Sequence, residues 1–246
     1  MNLDRTGTRA LAAALKEEFS RLPDSLQLIL APSFVYLETV KKLLEGSQIK
    51  MAAQNTFWEG KGTFTGETSP LQLKQIGVDY VICGHSERKI YMHETDGMIG
   101  KKVSAALKQN LYPIVCVGES FEERRQGKKN VILADQLKKY FKNVGLSDND
   151  FIIVAYEPVW AIGSGQACEP AEAKEAAYII KQNLMEMFAA DLVNKNFVFI
   201  YGGSVNDNNV TSFIDQDILK GVLVGGASVN LKLFSQIIKL VLNLNK

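Results

Sequence analysis

One short apolar run that ends directly at an acidic residue constrains this chain more than any other feature. Residues 152–156 are apolar and mostly β-branched, which is typical of a strand buried on both faces in a parallel sheet. Glu157 stands at the carboxyl end of the run, and Pro158 stops the strand. A half-buried carboxyl group has a raised pKa, which suits a general base near neutral pH. An acid that caps a turn or pairs with a lysine is an equally good interpretation of Glu157 taken alone.

Strands and helices alternate along the whole sequence, which predicts parallel strands joined by helical crossovers. The predicted strands are residues 26–31, 49–54, 80–83, 113–117, 152–156, 197–201 and 221–224, and single helices are predicted over 122–143 and 170–189. This α/β pattern fits either an open doubly wound sheet or a closed (β/α)8 barrel. No Gly-x-Gly-x-x-Gly follows the first strand, which favours the barrel, as a single domain over residues 1–246.

The strand exits of such a barrel form one mouth, and the active site lies there. The polar residues and glycines at the predicted exits are Asn55, His85, Glu119, Glu157, Ser204, Gly225 and Gly226. His85 comes where a strand turns into a short helix, whose amide groups favour a neutral imidazole that can donate to a carbonyl oxygen. The other histidine, His93, is interpreted as structural. Apolar residues at 159–162, between Pro158 and two glycines, predict a loop that closes as a lid.

Glycine pairs after the last two strands predict a phosphate-binding site. They are Gly203 with Ser204 beside it, and Gly225 with Gly226. Glycine lets backbone amides approach an anion closely, and the loops after the last two strands of such barrels commonly bind phosphate. Glycine pairs usually mark turns, so only their recurrence at successive exits supports the site.

Composition limits the partners and the compartment. The formal net charge is +1, which argues against binding to nucleic acid or to acidic membrane surfaces. The three cysteines are scattered without the spacing of a metal site, which fits a reducing cytoplasm. The sequence contains no apolar run of membrane-spanning length and no signal-peptide core near its start, so we expect a soluble, intracellular protein.

Taken together, these segments resemble triosephosphate isomerases, in the order and near the spacing of that family. The matching segments are residues 53–55, 64–67, 84–88, 116–119, 155–165, 201–205 and 223–228. The resemblance covers essentially the whole chain and implies a TIM barrel that interconverts dihydroxyacetone phosphate and D-glyceraldehyde 3-phosphate. It also implies that no cofactor or metal is needed, and that a loop containing Thr65, Gly66 and Glu67 forms part of a homodimer interface.

The resemblance assigns roles to individual residues. It implies that Glu157 is the base and His85 the electrophile, with Glu87 supporting the site from beneath. Residues 158–168 would be the lid. Gly163, Ser204, Gly225 and Gly226 would offer amide groups to the substrate phosphate.

One part of the family pattern is absent from this sequence. The first strand of the family ends in Asn-x-Lys-Met-Asn, whereas Met1 and Asn2 match only the tail of that motif. We therefore expect seven strands rather than eight, and we expect about a dozen further residues ahead of Met1 in the natural protein. If Met1 is the true start, we expect activity lowered by at least about a hundredfold, because a substrate-binding Asn and a Lys would be missing.

Two other functions stay open from the sequence. A catalytically silent barrel that binds phosphorylated ligands is favoured by the missing Asn and Lys. A barrel isomerase or aldolase for another sugar phosphate is disfavoured, because no lysine able to form a Schiff base follows a strand.

Overall fold

The strands of this chain form one parallel sheet in the same order as in the sequence. The computed structural model describes residues 2–161, 168–215 and 217–244. Within these ranges the sheet has seven strands, as predicted. They are β1 (Ile29–Leu30), β2 (Lys50–Ala53), β3 (Tyr80–Cys83), β4 (Tyr112–Val117), β5 (Ile152–Tyr156), β6 (Phe197–Tyr201) and β7 (Leu219–Val222). Each strand is parallel to its neighbour, with β4 and β5 paired from Ile114–Ile153 to Val117–Tyr156.

Helices connect successive strands and cover one face of the sheet. They are α1 (Arg5–Phe19), α2 (Leu37–Leu43), α3 (Pro70–Gln75), α4 (Ser86–Tyr91), α5 (Asp96–Lys108), α6 (Phe121–Arg125), α7 (Lys129–Phe141), α8 (Pro170–Met187), α9 (Ala190–Asn196) and α10 (Leu231–Leu244). Short 3-10 segments lie at Phe34–Tyr36, Val159–Ala161, Val210–Phe213 and Gly226–Val229. None of the helices in the described ranges combines the length and apolar character that crossing a bilayer requires.

Several element boundaries differ from the sequence-based expectation, among them β1, which was predicted over 26–31 and spans only Ile29–Leu30. The single helix predicted over 122–143 is wrong, because Gly127 has a φ of 68° and separates α6 from α7. The helix predicted to end at 189 ends at Met187, and the separate helix α9 follows it. The last strand begins at Leu219 rather than at Gly221, because the Asp215 carboxylate accepts the backbone N–H groups of Ile218 and Leu219.

Alternate residues of each strand face two different apolar cores. In β5, Ile152, Val154 and Tyr156 pack under the helices. Ile153 and Ala155 belong to a second core inside the curled sheet, with residues from the neighbouring strands. Burial on both faces explains why this strand is an unbroken apolar run.

The helix layer closes on itself, whereas the sheet is open within the described ranges. Helix α1 packs against α10, and Glu18 accepts from Ser235 at 2.8 Å and pairs with Lys239 at 2.5 Å. Over the described ranges, β1 pairs only with β2 and β7 only with β6. One edge of β1 and one edge of β7 therefore have no strand partner in the described part of the chain.

Candidate active site

Glu157 leaves β5 between two glycines that fix its backbone. A Cβ atom on Gly118 would lie 1.8 Å from the carbonyl oxygen of Glu157, and one on Gly202 would lie 2.9 Å from its Cγ. The Glu157 N–H donates to the carbonyl oxygen of Val117 at 2.7 Å. The residue is 2% exposed. Only glycine fits at positions 118 and 202, so the position of the Glu157 backbone between them is tightly determined.

The two carboxylate oxygens of Glu157 differ in their contacts. Oε2 accepts the backbone N–H of Ser86 at 3.0 Å. Oε1 is buried and lacks a hydrogen-bond partner within the part of the chain that the structure describes. It lies 3.5 Å from Nε2 of His85. The hydrogen bond to Oε2 therefore holds the carboxylate in place, while Oε1 can accept a proton.

Burial raises the pKa of Glu157 above its ordinary value of 4.5, because a charged carboxylate loses its hydration there. Interactions with His85, with the thiol of Cys116 and with Ser86 offset part of this effect. Cys116 itself is buried, and burial raises the pKa of its thiol well above the ordinary value. A raised carboxyl pKa is the property that a proton-abstracting base requires near neutral pH.

His85 stands at the start of α4 with one ring nitrogen already engaged. Gly84 before it has a φ of 79°, a left-handed conformation that turns the chain sharply out of β3. Nδ1 of His85 accepts the backbone N–H of Glu87 at 3.3 Å, so a neutral ring carries its proton on Nε2. The side chain is 28% exposed. The half-buried imidazole thus presents an N–H donor next to the carboxylate of Glu157.

The other sequence-predicted site residues lie around this pair. The Glu87 carboxylate is 70% exposed, with Oε2 3.9 Å from Nδ1 of His85, and the supporting role of Glu87 stays a prediction. Ser204 is partly buried, and its carbonyl oxygen accepts from Asn209 at 3.1 Å. A Cβ on Gly225 or on Gly226 would meet no described atom within 4 Å, so both glycines border open space. Gly163 lies outside the described residues.

Described residues anchor both ends of the segment predicted to be the lid. At the first end, Trp160 Nε1 donates to Glu119 at 3.0 Å, and the Arg124 guanidinium lies 4.2 Å from the indole centroid. At the second end, the Cys168 N–H donates to the hydroxyl of Tyr201 at 3.3 Å. Residues 162–167 of the predicted lid lie outside the described residues.

A buried charged cluster links α4 to α5, and sequence reasoning did not find it. Lys102 is 2% exposed and donates to Asn55 at 2.7 Å and to Glu94. Glu94 also accepts from Arg88 at 2.6 Å, which ties the end of α4 to α5. Asn55, expected to reach the mouth, is thus engaged by a lysine. The one sign of this cluster in the sequence is Lys102, a charged residue at a position of the predicted helix where an apolar side chain is expected.

The loop predicted to meet a second subunit is exposed. Thr65, Gly66 and Glu67 are all exposed, and their neighbour Phe64 packs on the ring of Phe57 with centroids 4.6 Å apart. The described residues include no group of three His, Cys, Asp or Glu side chains placed to hold a metal ion.

Comparisons with known proteins agree with this geometry. The family model for triosephosphate isomerase matches residues 1–241. The triosephosphate isomerase of Dictyoglomus thermophilum is 41% identical over 222 residues, covering 90% of this chain and 89% of that protein. That of Caldanaerobacter subterraneus is 42% identical over 212 residues, covering 86% and 85%. That of Dehalococcoides mccartyi is 41% identical over 237 residues, covering 96% and 91%. With seven parallel strands among its described residues and this level of identity, the chain belongs to the triosephosphate isomerase family.

Proposed function

We propose that this chain interconverts dihydroxyacetone phosphate and D-glyceraldehyde 3-phosphate, with Glu157 as the base and His85 as the electrophile. The observation that supports these roles best is the buried Oε1 of Glu157, which lacks a partner in the described ranges and lies 3.5 Å from Nε2 of His85. A substrate that presents a C–H bond to the carboxylate and the adjacent carbonyl oxygen to the imidazole fits between these two groups.

The proposed reaction moves one proton between neighbouring carbons. Glu157 removes a proton from the carbon beside the carbonyl, while the N–H of His85 stabilises the charge that develops on oxygen. The resulting enediolate takes the proton back from Glu157 at the other carbon. A second proton moves from the hydroxyl oxygen to the former carbonyl oxygen by way of His85, which donates its N–H proton to one oxygen and regains a proton from the other, so the carbonyl and hydroxyl groups exchange positions. The atoms balance without an oxidant or reductant, because only protons and bonding electrons move within the substrate.

The proposed phosphate site uses backbone amides of Gly163, Ser204, Gly225 and Gly226. Support comes from the open space beside Gly225 and Gly226, where no described atom would meet an added Cβ within 4 Å. The lid would exclude water from the enediolate and so suppress the loss of phosphate. Its anchoring by Trp160 and Cys168 is consistent with that role.

We further propose a cytoplasmic homodimer that contacts its partner through the loop with Thr65, Gly66 and Glu67. The exposure of this loop supports the proposal. Aromatic packing of Phe57 against Phe64 would hold the loop in shape before association.

A coupled assay of the purified chain with both triose phosphates tests the proposed reaction. We expect Glu157→Gln to lower kcat by about 10²- to 10⁴-fold, the usual effect of losing a general base, and Glu157→Asp to retain part of the activity. The control is Glu186→Gln, which changes an exposed acid on α8 and should leave kcat unaltered. Equal rates for the parent and Glu157→Gln would refute the base assignment.

A silent barrel that binds phosphorylated ligands is the second candidate, favoured by the unpaired edges of β1 and β7 within the described ranges. It predicts that 2-phosphoglycolate, an enediolate-like anion, binds the parent and Glu157→Gln equally while neither turns over substrate. The isomerase proposal instead predicts turnover by the parent and weaker binding of this anion by the variant.

A further inference from the structure

The backbone of Gly118, just beyond β4, is held by a side chain from a helix. Gln136 of α7 is a buried residue, and its Oε1 accepts the Gly118 N–H at 2.9 Å. Its Nε2 donates to the Gly118 carbonyl oxygen, also at 2.9 Å. One primary amide therefore satisfies both backbone groups of a buried residue at the point where the strand ladder ends.

Gly118 is in turn the residue against which Glu157 rests. A Cβ on Gly118 would overlap the Glu157 carbonyl group, which shows how closely the two backbones approach. Hydrogen bonds flank this contact: Glu157 N–H to Val117 at 2.7 Å and Val159 N–H to Glu119 at 3.1 Å. The segment 117–119 therefore acts as a support for the segment 157–159, and Gln136 holds that support from its other side.

From these contacts we infer that Gln136 is a positioning residue, which places the carboxylate of Glu157 by fixing the backbone of Gly118. The inference rests on the proposed role of Glu157 as the base. Both hydrogen bonds given for the Gln136 side chain in the described part of the chain go to Gly118, so its effect on the reaction passes through Gly118. The other flank of Glu157 is fixed separately, by the Gly202 N–H that donates to Tyr156 at 2.8 Å.

The size of the expected effect follows from the geometry that proton transfer requires. A reacting group misplaced by about 1 Å loses on the order of a hundredfold in rate. If Gln136 is lost, the Gly118 N–H and carbonyl are left buried without a partner, and the backbone shifts to relieve this cost. Because Gly118 and Glu157 are in contact, such a shift moves the carboxylate relative to Ser86 and His85.

The first test is Gln136→Met, which keeps the length of the side chain and removes both hydrogen bonds. We expect kcat to fall about 10- to 100-fold with KM changed less than about twofold, because the base and not the bound substrate is displaced. The control is Gln48→Met, the same change at an exposed position. Gln48 also accepts a backbone N–H, that of Leu22 at 2.6 Å, but it lies before β2 at the opposite end of the sheet.

Two comparisons distinguish a general loss of protein stability from a displacement of the Glu157 carboxylate. Urea unfolding gives the destabilisation of each variant, so kcat is compared under conditions in which both variants are folded. Gln48→Met should then keep the parent kcat. A fall in kcat of the same size in Gln48→Met would overturn the inference. So would an unchanged kcat in folded Gln136→Met.

Gln136→Glu provides a conservative variant in case Gln136→Met does not fold. A protonated carboxyl group offers Gly118 the same acceptor and donor as the amide, whereas an ionised one offers only acceptors. The ratio of variant kcat to parent kcat should therefore approach one at low pH and fall as the pH rises. A ratio that does not vary with pH would count against the role of Gln136.

A spectroscopic measurement tests the positioning role of Gln136 independently of the proposed reaction. Carbon-13 NMR follows the titration of the Glu157 carboxyl group whether or not the chain turns over substrate. We expect Gln136→Met to raise the pKa of Glu157 further, since a longer contact with the Ser86 N–H stabilises the carboxylate less. An unaltered titration would overturn the inference even if the parent is inactive, whereas an inactive parent with a shifted titration would refute only the proposed reaction.

Discussion

At the scale of single residues, the two carboxylate oxygens of Glu157 have different surroundings, and the site depends on that difference. Ser86 engages one carboxylate oxygen, and the other is buried without a partner within the described ranges. Such a group costs stability, since burial opposes its charge. A protein keeps this loss of stability where it needs a reactive acid. Carboxyl groups with a shifted pKa are therefore useful markers of catalytic sites.

The raised pKa of Glu157 makes stability depend on pH. As the pH rises above the ordinary value of 4.5, the unfolded chain releases this proton before the folded chain does. Stability therefore falls as the pH rises from 4.5 through the folded pKa, and the contribution is constant below that window. Glu157→Gln does not titrate, so the unfolding free energy of the variant relative to the parent should increase as the pH rises through that window.

Urea unfolding of the parent and Glu157→Gln at a series of pH values measures this difference. Glu186→Gln serves again as the control, and its difference from the parent should show no such rise. A difference for Glu157→Gln that stays constant from acid to neutral pH would contradict the expected linkage.

The sequence predicted the position of Glu157 and His85 because each comes within two residues of the end of an apolar strand. It could not predict the contacts that tune them. The Ser86 N–H is a backbone group that every residue carries, and its direction depends on how α4 leaves β3. Gln136 is distant from the site along the chain and lies on a helix whose polar residues look alike in sequence.

At the scale of elements, strands were predicted better than helix ends. An apolar run that is buried on both faces has few alternatives, and β3, β5 and β6 have the predicted bounds. The break between α6 and α7 was missed because charged residues continue across it, while a single glycine decides the conformation. A local contact of the Asp215 side chain, rather than the strand preference of the residues, decided where β7 begins.

A matched pair of glycines tests the origin of that break. Gly127 has a φ of 68°, and a Cβ there would meet no described atom within 4 Å, so only the backbone conformation opposes a side chain. We expect Gly127→Ala to lower the unfolding free energy by about 1–2 kcal/mol. Gly145 has equal space without a left-handed φ, so Gly145→Ala should be neutral or stabilising by less than about 1 kcal/mol. Equal thermal shifts for the two variants would show that the φ of Gly127 is not the cause.

At the scale of the whole molecule, the helices form a closed layer around a sheet that is open in the described ranges. Contact between α1 and α10 brings the two ends of the layer together. Interior residues next to the opening, Ile29 of β1 and Leu223 just after β7, are only partly buried. The interior of a barrel is filled by layers with side chains from alternate strands, and these positions lack neighbours on the open side.

Supplying one more strand is therefore expected to stabilise the molecule. A segment of about a dozen residues fused ahead of α1, containing a strand of about five residues that alternate apolar side chains, would pair with β1 and β7. We expect the midpoint of thermal unfolding to rise by about 5 °C or more, as burial of a few side chains adds several kcal/mol. The control is a fusion of the same length with a proline in the middle of the added strand. Proline lacks the backbone N–H that would donate to a neighbouring strand. Equal melting points for the two fusions would contradict this.

The open edges also bear on how the molecule behaves among its own copies. Unpaired backbone donors and acceptors along a strand can recruit a strand from a neighbouring chain and seed aggregation. Two features work against this: β1 is only two residues long, and the pairing of β6 with β7 is irregular between Phe199 and Tyr201. A short strand and a disturbed ladder are poor templates, so we expect these edges to recruit further copies of the chain only weakly.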